Sequence, residues 1–533
     1  MNALWLVVIG IVVFIGAYAT YGAWLAKTWG IDPGKRTPAH EINDGVDYVP
    51  TKPAVLLGHH FASIAGAGPI NGPIQAAIFG WVPVLLWIII GSIFFGGVHD
   101  FGSLFASVRH KGKSIGEVIN ANMGQRGMQL FSVFAWLTLI LVVAAFTNIV
   151  ASTFATVPAA ASTSLMFIVE AVIFGYLVYR KGLNLGVGTV VGVVVLFAMV
   201  WLGTLYPISL SVNTWIVIMM VYIFVASTAP VWILLQPRDY LNSFLLYAMI
   251  AGAVIGIVIA RPGLQLAPVT AFNVGGSWMF PMLFVTVACG AISGFHALVG
   301  SGTTSKQLDN EKDVQFIGYG AMLIEGVLAI IALISAAYVS SGELTELLKG
   351  GPVNVFSNGV GSFMTEFGLP FAVGKSFVAL AVSAFALTSL DTATRLARFI
   401  FQEFFDKPGQ EKQHPLTNMY VSTAITVAIG GWLAVGGFAK IWPIFGSANQ
   451  LLAGLSLLAV AVWLKKSGRN YSMITLPMIF MMAVTLLALV FLVKANLATG
   501  NYFLVVFPIA LFVLAIILAV EGYKHLFGDK QAE

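Results

Sequence analysis

Four histidines and an aspartate fall inside stretches apolar enough to cross a membrane: His59, His60, His99, Asp100 and His296. Ionisable groups at that depth are costly, face a protein interior or a cavity, and mark ion or proton pathways. Histidine changes charge near neutral pH, and a partner carboxylate shifts it across that range. A His–Asp relay that moves protons is the chemistry this set could perform. A plainer reading stays open for each ring, in which it hydrogen-bonds a kinked helix and never changes charge. Glu170 and Glu325 also lie mid-span, so each is expected to be protonated, paired, or hydrogen-bonded to an interrupted helix. Asp391 and Arg395, four apart with Arg398 beyond, share a helical face and are expected to form a gating or structural ion pair.

The stretch from Gly58 to Pro73, GHHFASIAGAGPINGP, interrupts a run that is otherwise long enough to span. Glycine is entropically loose and proline removes a donor and clashes with the preceding turn, so no unbroken helix is expected there. Main-chain groups freed in hydrocarbon must be received by protein or by a water-filled cavity, and in many transporters that cavity holds the substrate. A break also presents free N–H groups and the positive end of a half-helix. With Pro69 and Pro73 suited to a first turn, N–H groups near Gly68 to Gly72 are expected to cradle a carboxylate, with Gly66 and Gly68 among the substrate-binding residues and Asn71 and Gln75 adding side-chain hydrogen bonds. Close packing of a distorted helix through its glycines is the alternative.

The elements that must position these groups are membrane helices. Hydrophobic residues make up 59% of the 533 residues, charged residues only 9%, and mean hydropathy is +0.91. A soluble domain is about a quarter charged, so the chain reads as an all-α polytopic membrane protein in contact with a lipid bilayer. Residues 2–26 read as a first membrane helix that stays attached rather than a leader. Fifteen spans are expected: 3–26, 55–78, 81–108, 127–151, 162–180, 185–206, 213–235, 243–260, 278–300, 314–340, 371–400, 416–436, 441–464, 472–494 and 502–524. With the N-terminus outside and the C-terminus inside, 22 of the 27 Lys and Arg residues fall on the cytoplasmic side. Arg261, Lys349, Lys375, Lys440 and Lys494 fall outside, as the positive-inside rule requires. A shift of about 155 residues carries the broken run onto 213–235 and FIVEAV, with Glu170, onto LIEGV, with Glu325. An odd number of helices per unit makes the repeats inverted, and Ser227 and Thr228 in VYIFVASTAPVW would then sit at a second break facing the first. The expected units are 1–52, 53–208 and 209–402 (the two repeats), and 403–533.

Other signals carry less. Cys289 is the single cysteine, so neither an intramolecular disulfide nor a paired-cysteine site is available. Net charge +5 is scattered through short loops, which fits membrane orientation and not nucleic-acid binding. Gly112-Lys113-Ser114-Ile115-Gly116 matches a nucleophile-elbow pattern but has no flanking strand, and the same Gly-Lys-Ser lacks the P-loop glycine. Asn449 and Gln450 are expected to join helices by side-chain hydrogen bonds. NVFSNGVGSFMTEF, in the loop 340–370, reads either as a short amphipathic lid or as a connector.

Several long motifs resemble the carbon starvation protein A (CstA) family. They include GHHFASIAGAGPINGP, HDFGSLFASVRHKGKSIGEV, QPRDYLN from Gln236, SGFHALVGSGTTSKQL from Ser293, FALTSLDTATRLARF from Phe385 and IWPIFGSANQLLAG from Ile441. The resemblance spans about residues 50–465. It implies proton-driven uptake of peptides or pyruvate, and the two inverted five-helix repeats of the amino acid–polyamine–cation superfamily. In that fold hydroxyls at the position of Thr303 and Thr304 can join a sodium site, or simply cap a helix. The expected function is an ion-coupled importer of short peptides or a small carboxylate in the cell inner membrane, linked to nutrient starvation. It is not an enzyme and needs no cofactor, and protons are favoured over sodium as the coupling ion. A membrane sensor that binds its ligand without moving it is the alternative.

Overall fold

An apolar segment in a bilayer must pair every backbone N–H and C=O internally, and an α-helix does so locally. The computed structural model describes residues 2–45, 47–230, 233–405 and 415–527; Lys407, Lys412 and Lys530 lie outside them. Among the described residues the chain is nearly all helical, with one small hairpin pairing Asn273–Val274 with Ser277–Trp278. Eleven helices are long and apolar enough to cross a membrane. They are Leu4–Trp29, Trp81–Arg109, Gln125–Thr156, Pro158–Val178, Leu185–Leu205, Leu235–Ala260, Gln315–Ala337, Phe371–Phe405, Lys440–Lys466, Ser472–Ala498 and Leu504–Phe527. Val212–Thr228 and Met419–Val435 are shorter apolar helices. The apolar middle of Lys440–Lys466 is enclosed and that of Gln315–Ala337 nearly so, whereas Leu4–Trp29, Leu185–Leu205 and Leu504–Phe527 keep mostly exposed apolar faces.

Two spans are interrupted. The first runs as Pro53–Ile64 and Gly68–Ala76, with Ala65 leaving helical geometry and Pro69 entering the first turn of the second half. The second runs as Met279–Thr286 and Gly294–Gly302, with extended or irregular backbone between Val287 and Ser293. Side chains from uninterrupted helices receive the freed groups. Ser389 Oγ donates to the Ser63 carbonyl at 3.0 Å, and Ser92 Oγ to the Gly290 carbonyl at 3.2 Å. Asn449 Oδ1 accepts from the Phe295 amide at 2.9 Å, and Gln450 Nε2 donates to the Phe284 carbonyl at 2.5 Å. Asn449 and Gln450 therefore join helices as expected, and they do so by completing the unwound backbone of the second interrupted span.

This placement corrects one expectation. Residues 213–235 do not hold a mid-span break: Val212–Thr228 is one continuous helix, and Thr228 Oγ1 donates to the Phe224 carbonyl at 3.0 Å within its last turn. Pro230 disfavours helical geometry in the residue before it, and Ala229 is extended with φ −73° and ψ 151°. What reads in sequence as an interruption is a helix end. The second interruption lies at 287–293, where no proline announces it.

The two interrupted spans touch backbone to backbone. A Cβ on Gly72 would lie 2.6 Å from the Thr286 carbonyl oxygen and 3.0 Å from Val287 Cα, neither of which is a flexible side-chain end. Gly72→Ala is expected to destabilise the protein by about 1–3 kcal/mol, as overpacking a tight contact does. Gly342→Ala, with open space around it, is expected to be nearly neutral. Unfolding curves of the two variants in detergent check the contrast.

Candidate functional site

Helix Trp81–Arg109 carries His99 and Asp100, and both are buried. His99 Nδ1 lies 2.7 Å from Asp100 Oδ1, and His296 Nδ1 lies 2.8 Å from Asp100 Oδ2. An ionised carboxylate only accepts, so both rings carry their proton on Nδ1. His296 belongs to the second half of the second interrupted span, and its Nε2 is 3.4 Å from Glu325 Oε2, with the Ile64 carbonyl of the first break beside the ring. Glu325 is fully buried and, among the described residues, neither of its oxygens has a hydrogen-bond partner. His60 Nδ1 lies 2.8 Å from Thr304 Oγ1, which links the two interrupted spans directly. Of the expected relay, the structure thus unites His99, Asp100 and His296, adds Glu325, and sets His60 beside it.

In the His296–Glu325 contact, Nε2 faces Oε2 at 3.4 Å. With Nδ1–H committed to Asp100, the space between Nε2 and the carboxyl group accommodates one proton. Without that proton Glu325 is an ionised group buried with no donor, a costly state. With it, the pair is either a carboxylic acid facing a bare ring nitrogen or a carboxylate facing an imidazolium. A site that takes up a single proton at membrane depth is the chemistry this arrangement supports.

A second buried network lies on the other side of the first break. Arg238 forms ion pairs with Asp391 Oδ2 and, at 3.1 Å, with Asp239 Oδ1. Tyr222 donates to Asp391 Oδ2 at 2.7 Å, and His59 Nδ1 stands 3.6 Å from Asp239 Oδ2. This corrects the expected Asp391–Arg395 pair. Arg395 instead donates to the Ala226 and Ala229 carbonyls at 2.8 and 2.5 Å, because the end of Val212–Thr228 leaves those acceptors free beside it. Sequence reasoning missed Arg238 and Asp239, which it assigned to a loop. Two adjacent charges in an otherwise uncharged 26-residue helix were the available signal.

The remaining expected residues are dispersed. A Cβ on Gly66 would meet Ser389 Oγ at 2.4 Å, and one on Gly68 would meet Cys289 Sγ at 2.3 Å, so both glycines serve close packing. Asn71 is fully buried with neither amide atom partnered among the described residues, and it lines a cavity of about 420 Å³. Gln75 Nε2 is also unpartnered. Ser227 is buried without a partner for its hydroxyl, near the Arg395 anchor. Thr304 is engaged by His60, and Thr303 donates to the Val299 carbonyl at 3.4 Å. Glu170 is buried and neither oxygen has a hydrogen-bond partner. The NVFSNGVGSFMTEF stretch forms most of the helix Pro352–Met364, which packs an apolar face inward and borders the cavity. Ser114 caps helix Ile115–Met123 by accepting from the Glu117 amide, which accounts for the false nucleophile pattern.

The family model described as carbon starvation protein CstA matches residues 2–348 and 338–488. The chain belongs to the CstA family. A Campylobacter jejuni member named peptide transporter CstA is 35% identical, over 91% of this chain and 80% of that protein. An Escherichia coli member named pyruvate/proton symporter BtsT is 33% identical, over 92% of this chain and 81% of its own length. A solved manganese transporter of Eremococcus coleocola superposes with a TM-score of 0.56 at 11% identity, covering 91% of this chain and 99% of that one. The last likeness is one of fold.

In this CstA-family chain Arg238 neutralises two buried carboxylates at once. Arg238→Met is expected to cost about 3–5 kcal/mol, because it strands Asp239 and Asp391 together. Asp391→Asn leaves Arg238 paired with Asp239 and is expected to cost clearly less. Denaturant unfolding of both variants in detergent checks the order.

Proposed function

We propose that this protein is a proton-coupled secondary active transporter importing short peptides or a small carboxylate such as pyruvate across the cell inner membrane. The names of its relatives support transport, and the buried one-proton site supports the coupling ion. The observation that carries the reading is His296, which stands between Asp100, Glu325 and the first break. Proton occupancy of the cluster and the geometry of both interrupted spans are therefore coupled through one side chain.

The proposed topology has fifteen crossings with the N-terminus outside: eleven long helices, two shorter ones and two interrupted spans. Six continuous helices separate the interrupted spans, so the two cross in opposite directions, the relation expected of inverted repeats. The first repeat keeps the range 53–208 and is led by the first interrupted span. The second repeat is led by 279–302 and so begins later than residue 209. In this orientation the cavity above Asn71 faces outward, and the Arg238–Asp391–Asp239 network closes the cytoplasmic side. Substrate and proton enter from outside; loading of the His296–Glu325 pair removes a buried uncompensated charge and permits the rearrangement that opens the inner network. Thr304 is occupied by His60, which favours protons over sodium. The sensor alternative is set aside, since relatives at 35% and 33% identity are named a transporter and a symporter.

Proteoliposomes with an inside-alkaline step of one pH unit are expected to accumulate labelled pyruvate or dipeptide up to about tenfold, one proton moving per substrate. A sodium gradient alone is expected to drive none. Glu325→Gln is expected to abolish pH-driven accumulation while substrate exchange between the two sides continues. Undiminished accumulation by that variant would refute the coupling role.

A further inference from the structure

The cavity above the first break has a one-sided chemistry. Its walls include Asn71, Asn148, Ser152, Thr153, Lys349 and Lys375, and no carboxylate lines it. Lys349 sits at the exposed rim and is held by Glu346 at 2.6 Å. Lys375 is half-buried and, among the described residues, has no carboxylate within ion-pair distance.

Asn71 is the second, independent observation. It is 0% exposed, and both its carboxamide oxygen and nitrogen lack partners. Native structures pair nearly all buried polar groups, so an orphaned carboxamide on a cavity wall is a group kept ready for something that enters. Asn148, by contrast, is committed: its Nδ2 donates to the Ala434 carbonyl at 3.0 Å, and its Oδ1 accepts from Ser152 at 3.5 Å.

We infer that this cavity is an anion-selecting site that takes a small monocarboxylate, with Lys375 as its charge partner and the Asn71 amide as its hydrogen-bond donor. The inference rests on the transport reading above and narrows its substrate class. A dipeptide carries an ammonium as well as a carboxylate, and no wall of the cavity supplies a negative charge to receive it. A three-carbon acid brings one negative charge and leaves room for several waters, at about 30 Å³ each. Asn71 Nδ2 and the Lys375 ammonium, both on the wall of this cavity, are its donors for the ligand's carboxylate.

The test is equilibrium binding of labelled pyruvate to the full chain in nanodiscs, with unlabelled pyruvamide, L-alanine and alanyl-alanine as competitors. In the unaltered protein pyruvate is expected to compete at least about tenfold better than the neutral amide or either zwitterion, the worth of a charge-assisted contact. Lys375→Met is expected to weaken pyruvate binding about tenfold and erase its advantage over pyruvamide, whereas Lys375→Arg keeps both. A melting temperature unchanged between the Met and Arg variants removes misfolding as an explanation. Binding by Lys375→Met within twofold of the unaltered protein would overturn the site, as would alanyl-alanine competing as well as pyruvate. Proton-driven uptake by the unaltered protein is read in parallel: its absence counts against the transport reading while the binding comparison still decides the site.

Discussion

One carboxylate held between two imidazoles at membrane depth organises the interior. Asp100 sits where an uncompensated charge is prohibitively expensive, so its partners are not optional. His99 comes from the same helix turn. His296 comes from the far half of the second interrupted span and must be delivered there by the tertiary fold. That requirement pins the second break against helix Trp81–Arg109. It also sets His296 Nε2 toward Glu325, which has no other partner. The Asp100 contact fixes one ring nitrogen of His296 and leaves the other facing Glu325 at 3.4 Å.

The polar interior falls into layers along the first interrupted span. On one side of the break lies the Asn71 cavity, bordered by helix Pro352–Met364. At the break lie the imidazoles and carboxylates of the Asp100–His296–Glu325 cluster. On the other side lies the Arg238 network, which joins Leu235–Ala260 to Phe371–Phe405 and reaches the first span through His59. The desolvated charges of this network hold firmly while paired, and separating them without water would leave each one uncompensated.

The two breaks are stabilised differently, and the difference bears on which can move. The first is written into its own residues by glycine and proline, and one side-chain bond from Ser389 suffices to receive its free carbonyl. The second is held open from outside. Asn449, Gln450 and Ser92, on two other helices, supply the hydrogen bonds that the unwound stretch lacks. The motif IWPIFGSANQLLAG is thus the external brace of the second interrupted span. Gly446, in the same motif, lets the braced helix approach the Val285 carbonyl, where a Cβ would stand 2.4 Å away.

Hydropathy alone placed nearly every helix, because an apolar backbone segment in lipid has one local way to pair its polar groups. Proline and glycine chemistry announced the first break, and ionisable residues at membrane depth pointed to the buried cluster of His99, Asp100 and His296. Long-range partnership was not legible. The four-residue spacing of Asp391 and Arg395 suggested a pair, yet Arg238 approaches from another helix and takes the carboxylate, while a helix end captures Arg395. Ser227 and Thr228 looked like a second interruption because the repeat shift carries the first break onto them, and only three-dimensional packing distinguishes a helix end, here just before Pro230, from a mid-span break. The true second break carries no proline. Its unwinding depends on acceptors and donors more than 150 residues away in sequence, and no local pattern encodes them. The chain's own residues fix which segments must cross and which groups are too costly to leave alone; the tertiary structure decides which of those groups meet.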